Sequence, residues 1–214
     1  MNNDKKIAII KKWLGTGSIN IFGVQFSGKD TVGHKMAELL GAKFISSGDI
    51  IRSARDQAQN AQIAAAARVS DSGLAMPTDE FRDLILPYLY DESLDGRSLI
   101  LSSVGRWLGE EGPIMAALER GDHDIKAVIK LDISEDEIWK RWQIANDADA
   151  RNVGRADESE TGLRTRLNEF QTKTLPVIEV YRQMGLLIEI NGEQPREAVM
   201  NNVIEKLFES ARTA

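Results

Sequence analysis

The sequence predicts an α/β protein in which a parallel β-sheet is covered by helices on both faces. Short apolar runs typical of buried strands recur along the chain and alternate with stretches of helical periodicity. A glycine-bearing loop joins the first such run to a long amphipathic helix. Strands that alternate with helices at this spacing form parallel sheets that are buried on both sides.

The predicted elements follow from apolar periodicity and from glycine and proline positions. Strands are expected at residues 19–22, 43–46, 98–101, 127–131 and 186–190. One helix should span 29–40 and end at Gly41, and another should start after Pro77 and span 78–90. Between them, a helical stretch begins near Asp49 and runs through the alanine-rich residues 58–67. Pro176 lies inside a long helical pattern, where we expect a bend.

Length and composition restrict the possible functions. A chain of 214 residues is long enough for one sizeable core. Its net charge of -6 and pI near 5.1 argue against a broad basic face that binds nucleic acid. The absence of cysteine excludes disulfides, thiolate metal sites and cysteine nucleophiles, and two histidines make a histidine metal site improbable.

The N-terminal segment, residues 1–17, reads as a helical extension that precedes the main domain at 18–214. Its apolar run at 7–10 is too short for a signal peptide, and no later segment is long enough to span a membrane. A basic amphipathic membrane anchor is the alternative to a short docked or frayed helix, and we expect the helix. We therefore expect a cytoplasmic protein without membrane contact. We also expect a monomer.

The segment at residues 23–31, Gly-Val-Gln-Phe-Ser-Gly-Lys-Asp-Thr, has the pattern of a phosphate-binding loop. It follows a predicted strand and opens a predicted helix, so its backbone N–H groups and the helix N-terminus can bind phosphate oxygens. Lys29 would supply a cation for the β- and γ-phosphates, and Thr31 a hydroxyl for Mg²⁺. The alternative is a glycine-rich turn without a ligand. The candidate ATP-binding residues of this loop are Gly23, Ser27, Gly28, Lys29, Asp30 and Thr31.

Further motifs resemble the adenylate kinase family of nucleoside monophosphate kinases over about residues 19–208. The phosphate loop is similar to the family's Gly-Lys-Gly-Thr, with Asp30 in place of the third residue. The other motifs that carry the resemblance are Ile45-Ser46-Ser47-Gly48-Asp49-Ile50-Ile51-Arg52, Gly73-Leu74-Ala75-Met76-Pro77, Leu101-Ser102-Ser103-Val104-Gly105-Arg106, Gly154-Arg155-Ala156-Asp157-Glu158, Leu163-Arg164-Thr165-Arg166-Leu167 and Asn191-Gly192-Glu193-Gln194-Pro195. An unrelated sequence would rarely contain all of these motifs in this order and at this spacing.

The resemblance implies a P-loop enzyme that transfers the γ-phosphate of ATP to a nucleoside monophosphate, with AMP as the expected acceptor and Mg²⁺ as cofactor. It implies a monophosphate-binding part at about 47–77 and a lid over ATP at about 145–157, a polar, aperiodic stretch that should be an exposed loop. The catalytic cations would be Lys29, Arg106, Arg155 and Arg166. Arg141 would stack on the adenine of ATP near Gln194, and the acceptor would contact Ser47, Arg52, Met76, Arg106, Glu110, Arg155 and Arg166.

The sequence departs from the family at four positions. Asp30 either repels the phosphates or holds Mg²⁺-bound water, and it could replace the metal-ordering Asp of the family, because Ser102 stands where that Asp is expected. Ala145 takes the place of a second lid arginine, for which Arg151 is the nearest substitute. Glu110 replaces a Gln that reads adenine.

Two interpretations of Glu110 are open. An ionised carboxylate offers only acceptors, so as a base reader it should tolerate GMP or CMP better than Gln does. Alternatively, Glu110 is a solvated residue at the start of a helix. Because of these departures, two other functions stay open for the chain. They are a related P-loop kinase with another small acceptor, and a catalytically weak nucleotide-binding protein that regulates a partner.

Overall fold

The computed structural model describes residues 1–57, 61–72, 74–148 and 159–213. Its strands are β1 (Ser18–Phe22), β2 (Lys43–Ser46), β3 (Leu99–Ser102), β4 (Ile125–Asp132) and β5 (Leu187–Asn191). They form one sheet in the order β2-β3-β1-β4-β5, and every pairing is parallel. The predicted fold class is confirmed, and each strand lies within two residues of its expected position.

Helices cover both faces of this sheet. The α-helices are α1 (Asn3–Leu14), α2 (Lys29–Leu40), α3 (Ser47–Gln57), α4 (Ala61–Arg68), α5 (Thr78–Leu89), α6 (Glu111–Arg120), α7 (Glu135–Ala148), α8 (Glu160–Glu169), α9 (Leu175–Gln183) and α10 (Arg196–Thr213). Short 3₁₀ turns at Val69–Ser72 and Glu92–Leu94 and a π-helical segment at Phe170–Thr174 complete the described elements. Helix α2 ends at Gly41, which has a left-handed conformation.

Two apolar cores lie on opposite faces of the sheet, and β1 contributes to both. Ile19 and Ile21 pack with α1, α2 and α10, whereas Phe22 packs with the helices of the other face. All five residues of β1 are buried. This is the pattern expected for the central strand of a parallel sheet, and it holds the carboxyl end of β1 rigidly in place.

Asn20 is a polar residue within this buried strand. Its side-chain amide donates to the carbonyl of Val104 over 2.7 Å and accepts from the backbone N–H of Val104 over 3.3 Å. Buried polar groups need such partners, and here both partners belong to the segment that follows β3. Asn20 therefore fixes the start of the chain segment that leads to Arg106.

The N-terminal extension is a docked helix, as expected. Helix α1 packs against α10 and α2, with Ile10 and Leu14 fully buried in the shared core. The Asn2 side chain caps it by accepting from the N–H of Lys5. None of the helices in the described ranges is both long enough and apolar enough to cross a bilayer.

Two boundaries differ from the prediction by two to four residues. Helix α3 starts at Ser47, before the expected Asp49, because the Ser46 hydroxyl accepts from the N–H of Asp49 and caps the helix. The predicted lid loop was expected to start at Ala145, but residues 145–148 form the last turn of α7. Alanines at 145 and 148 favour the helix there.

The bend expected at Pro176 takes the form of a π-helical segment. The N–H of Leu175 donates to the carbonyl of Phe170, five residues earlier, and Pro176 lies in the first turn of α9. Proline has no N–H to donate to the carbonyl of residue 172. The wider π-helical turn before Pro176 accommodates this missing hydrogen bond. The segment lies beside the cavity described next.

Candidate active site

The loop between β1 and α2 has a backbone that turns tightly around an open space. Gly28 has φ +90°, and a side chain on Gly23 would lie 2.4 Å from the hydroxyl of Ser27. Phe26 is also left-handed, with φ +66°, a strained value for a bulky residue that is typical of ligand-binding loops. The loop therefore has the shape expected of a phosphate cradle at the N-terminus of α2.

Lys29 and Asp30 open α2 at the floor of this space. The Nζ of Lys29 lies 3.5 Å from one carboxylate oxygen of Asp30, and the Ser102 hydroxyl donates to the other over 2.5 Å. Burial lowers the pKa of Lys29, Asp30 opposes that lowering, and Arg106 and Arg166 add to it, so that the pKa stays below its ordinary value. Burial would raise the pKa of Asp30, but Lys29 and the Ser102 hydroxyl outweigh it and lower that pKa. Asp30 is therefore ionised at neutral pH.

Arg106 follows β3 and is held by the neighbouring loops. Its Nη2 donates to the Ser47 hydroxyl over 3.3 Å and its Nε to the carbonyl of Ser103 over 3.4 Å. The Ser47 hydroxyl in turn donates to the carbonyl of Ser103 over 2.8 Å. Burial and the charge of Arg166 lower the pKa of Arg106. The site thus concentrates positive charge that an anion would neutralise.

The other two arginines reach the same space from different helices. Arg52 projects from α3 and pairs with Asp49 one turn earlier. Arg166 projects from α8 and donates to the side chain of Gln25 in the phosphate loop. Charged side chains therefore meet at one place from four parts of the fold, namely the β1–α2 loop with the start of α2, the β3–α6 connection, α3 and α8.

These side chains line a cavity of about 420 Å³. Among the described residues, its wall carries five cations, Lys29, Arg52, Arg106, Arg166 and Lys173, against two carboxylates, Asp30 and Glu169. The chain as a whole has a net charge of -6, so this excess of positive charge is local. Such a cavity suits a ligand with several negative charges.

Arg141 and Gln194 lie outside the lining of this cavity, on another side of the phosphate loop. The guanidinium of Arg141 donates to the carbonyls of Phe26 over 3.1 Å and Gly192 over 2.8 Å, and to Glu137 over 2.8 Å. These three hydrogen bonds fix the plane of the guanidinium, and its flat faces can stack on a ring. Gln194 accepts from Asn202 over 2.7 Å. Adenine stacking by Arg141 stays a prediction, which this geometry permits.

The remaining candidates differ in how close they come to the cavity. Ser47 is fully buried, and its hydroxyl accepts from Arg106. Ser27 is 3% exposed, and within the described part of the chain its hydroxyl has no hydrogen-bond partner. Met76, at 3% exposure, packs in the core and does not line the cavity. Arg155, Arg151 and the rest of the predicted lid at 149–157 lie outside the described residues.

The position of Glu110 contradicts one of its two interpretations and leaves the other untested. Its side chain is buried, so the idea of a solvated helix-start residue was wrong. One carboxylate oxygen accepts from the backbone N–H groups of Arg106 over 2.7 Å and Trp107 over 3.1 Å, and the residue does not line the cavity. Burial raises the pKa of Glu110, although these two hydrogen bonds oppose the rise. Base reading stays a prediction that this position does not favour.

Glu110→Gln tests this placement. Because burial raises the pKa, the ionised form destabilises the folded state, and that loss grows as pH rises above the ordinary value near 4.5. A Gln oxygen can accept the same two N–H groups without a charge. We expect the difference in Tm between variant and parent to shift in favour of the variant as pH rises above about 4.5. The kcat/KM ratios for AMP, GMP and CMP should stay unchanged within about twofold. A several-fold rise in the preference for AMP would return Glu110 to base reading.

Four residues at the site were not found from the sequence. Asn20 positions the loop after β3, Gln25 meets Arg166, and Glu169 and Lys173 form an ion pair on the cavity wall. Asn20 had a detectable signal, because a polar residue interrupts an apolar strand. The others lie in polar contexts where no periodicity distinguishes them.

Comparison with known proteins agrees with this arrangement. The family model for adenylate kinase matches residues 21–186, well over half of the chain. The chain belongs to the adenylate kinase family. Among curated relatives, it is 28% identical to an adenylate kinase of Bacteroides fragilis over 186 residues, which are 87% of this chain and 95% of the relative. It is 30% identical to one of Leifsonia xyli subsp. xyli over 190 residues, 88% of this chain and 92% of the relative.

A third family member, from Clavibacter michiganensis subsp. michiganensis, is 31% identical over 174 residues, 80% of this chain and 83% of the relative. The adenylate kinase match begins within β1 and therefore leaves α1 outside it. It includes the phosphate loop and all five cations of the cavity wall.

Proposed function

We propose that this protein transfers the γ-phosphate of ATP to AMP. The observation that carries the proposal is the convergence of Lys29, Arg106 and Arg166 on one cavity at the phosphate loop. Family membership and relatives named adenylate kinase support the same reaction. Interconversion of adenine nucleotides would place the enzyme in nucleotide biosynthesis.

The side chains would act by positioning and by charge stabilisation. An α-phosphate oxygen of AMP attacks the γ-phosphorus of ATP, and the bond from that phosphorus to the β-phosphate oxygen breaks, which gives two ADP. Lys29 would bind the β- and γ-phosphates, while Arg52 and Arg106 would hold the acceptor's α-phosphate through paired hydrogen bonds. Arg166, and Arg155 by the family resemblance, would neutralise charge on the transferring group. The reaction needs no strong protein nucleophile.

The residues at the floor of the cavity fit a magnesium ion carried by ATP. Mg²⁺ prefers oxygen ligands and takes few of them from protein when phosphates are present. The carboxylate of Asp30, held ionised, and the hydroxyl of Thr31 both line the cavity beside the phosphate loop. When bound, the ion would neutralise phosphate charge, and Asp30 with Thr31 would orient its water ligands.

Location in the cytoplasm and a monomeric state stay predictions.

A coupled assay for ADP formation across a panel of nucleoside monophosphates, with and without Mg²⁺, tests the proposal. We expect Mg²⁺-dependent turnover with ATP and AMP at rates typical of kinases, about 1–100 per second or faster. Turnover only with a different small acceptor would instead indicate a related P-loop kinase. Nucleotide binding without turnover would indicate a regulatory protein.

Asp30→Gly tests the metal role of Asp30. This change restores the family residue but removes the carboxylate that Ser102 holds. We expect the Mg²⁺ concentration for half-maximal activity to rise about threefold or more, and kcat to fall, in a titration of both forms.

Asp79→Gly is the control for Asp30→Gly, because it removes a first-turn carboxylate from α5, outside the cavity lining. It should leave the Mg²⁺ dependence unchanged. If Asp30→Gly instead tightens ATP binding and raises the rate, Asp30 repels phosphate and has no metal role.

A further inference from the structure

The placement of Glu110 leaves open which side chains contact the base of the acceptor. That carboxylate is turned toward the backbone of its own loop and does not line the cavity. Another pair of charged side chains does line it. Glu169 ends α8 and Lys173 lies one turn later in the π-helical segment, and the two pair over 2.9 Å.

This pair lies between the two segments that border the acceptor's place. Glu169 Oε2 accepts from the backbone N–H of Ala75 over 3.1 Å, in the segment whose motif suggests closure over the base. Lys173 Nζ lies 3.9 Å from the centroid of the Trp107 ring, and Trp107 directly follows Arg106. A nucleoside monophosphate whose phosphate is bound by Arg106 would therefore share one cavity with Glu169 and Lys173.

Both partners retain hydrogen-bonding capacity for a ligand. The contacts of Glu169 with Ala75 and Lys173 both use Oε2, so Oε1 can accept another hydrogen bond. Lys173 has three N–H donors and is 32% exposed, whereas Glu169 is 12% exposed. Together they offer one acceptor and one donor, the combination that a Gln would provide on a single side chain.

We propose that Lys173 and Glu169 together read the base of the acceptor, with Glu169 accepting from the 6-amino group of AMP and Lys173 donating to an unprotonated ring nitrogen. This inference rests on the proposed function and names the residues that set its acceptor preference. IMP carries a 6-oxo group and a protonated N1, so it reverses both hydrogen-bonding positions. The oxo group would face a carboxylate, and the N1–H would face an ammonium group.

The experiment compares kcat/KM for AMP and IMP in the parent and in Glu169→Gln and Lys173→Met. The parent should prefer AMP about tenfold or more, because IMP would leave buried polar groups mismatched. Each variant should reduce the AMP:IMP ratio about fivefold or more, mainly by raising KM for AMP, with KM for ATP within about twofold. Calorimetric titration with AMP and IMP, without ATP, should show the same shift in Kd. Lys173→Arg, which keeps a donor, should recover much of the preference.

Matched controls separate base reading from packing. Glu179→Gln and Lys206→Met remove comparable charges from exposed ion pairs outside the cavity lining. They should leave the AMP:IMP ratio unchanged. If both cavity variants keep the parent ratio in kinetics and calorimetry, the pair only holds Ala75 and Trp107 in place and the inference is overturned, even where Tm falls. A parent without kinase activity on any monophosphate would overturn the proposed function instead.

Discussion

Lys29→Ala should lower kcat about a hundredfold or more while leaving the fold intact. The ammonium group is the candidate donor to the β- and γ-phosphates, and loss of one aligned charge-stabilising donor typically costs 10²–10³ in rate, about 3 kcal/mol or more. We expect folding to be preserved, because burial and two nearby arginines outweigh the charge of Asp30, lower the pKa of Lys29 and so disfavour its charged form. Alanine is also a better helix former at the start of α2. Steady-state kinetics and a thermal melt of the same preparation check both parts.

Lys35→Ala is the matched control for Lys29→Ala. Lys35 lies on the same helix, is half exposed and pairs with Glu38 over 2.9 Å, so its loss should change kcat and Tm very little. Near-parental turnover by Lys29→Ala would show that the loop is a structural turn and that the phosphate-binding assignment is wrong. A large fall in Tm would show that Lys29 acts through folding.

The sheet could be predicted because its signals are local. The apolar runs of β1, β3 and β4 have the length and composition of buried parallel strands, and each is followed by turn or helix signals. Helix α2 was predicted to the residue because Gly28 and Gly41 bound it at both ends. Boundaries failed where a side-chain cap decided them, as at Ser46, since capping strength depends on geometry that spacing does not reveal.

The phosphate-loop side of the site was predictable for a similar reason. Lys29, Asp30 and Thr31 are consecutive, so placing one places the others. Arg106 and Arg166 were predicted only through the family motifs. Their convergence on one cavity depends on contacts across long sequence separations, such as that of Arg166 with Gln25.

The acceptor side was predicted least well. Glu110 occupies the motif position of a base reader, but the orientation of a side chain is decided by competition between partners. The backbone N–H groups of Arg106 and Trp107 need an acceptor, and the carboxylate of Glu110 turns inward to accept from both. Gly109, with φ +97°, shapes the turn that brings Glu110 back under these groups. No pattern in a single sequence records that outcome.

Arg106→Ala should damage use of the acceptor far more than binding of ATP. Two charge-assisted hydrogen bonds to a phosphate contribute about 3 kcal/mol, so KM for AMP should rise about 10- to 100-fold and kcat should fall with it. The Kd for ATP should change less than about threefold, because Lys29 and the loop N–H groups remain. The scaffold should survive, since the hydrogen bonds of Arg106 and Trp107 to Glu110 come from backbone N–H groups that alanine keeps.

Two further variants show whether geometry or charge is responsible for the Arg106 effect. Arg106→Lys keeps the charge but cannot form paired hydrogen bonds in one plane. Its KM for AMP should therefore stay almost as high as that of Arg106→Ala. Arg120→Ala, at the end of α6 where the guanidinium lies over the Tyr90 ring, removes an arginine from outside the cavity lining and should leave KM for AMP and ATP unchanged. Equal weakening of ATP and AMP binding in Arg106→Ala would place this arginine between the two substrates and contradict its assignment to the acceptor phosphate.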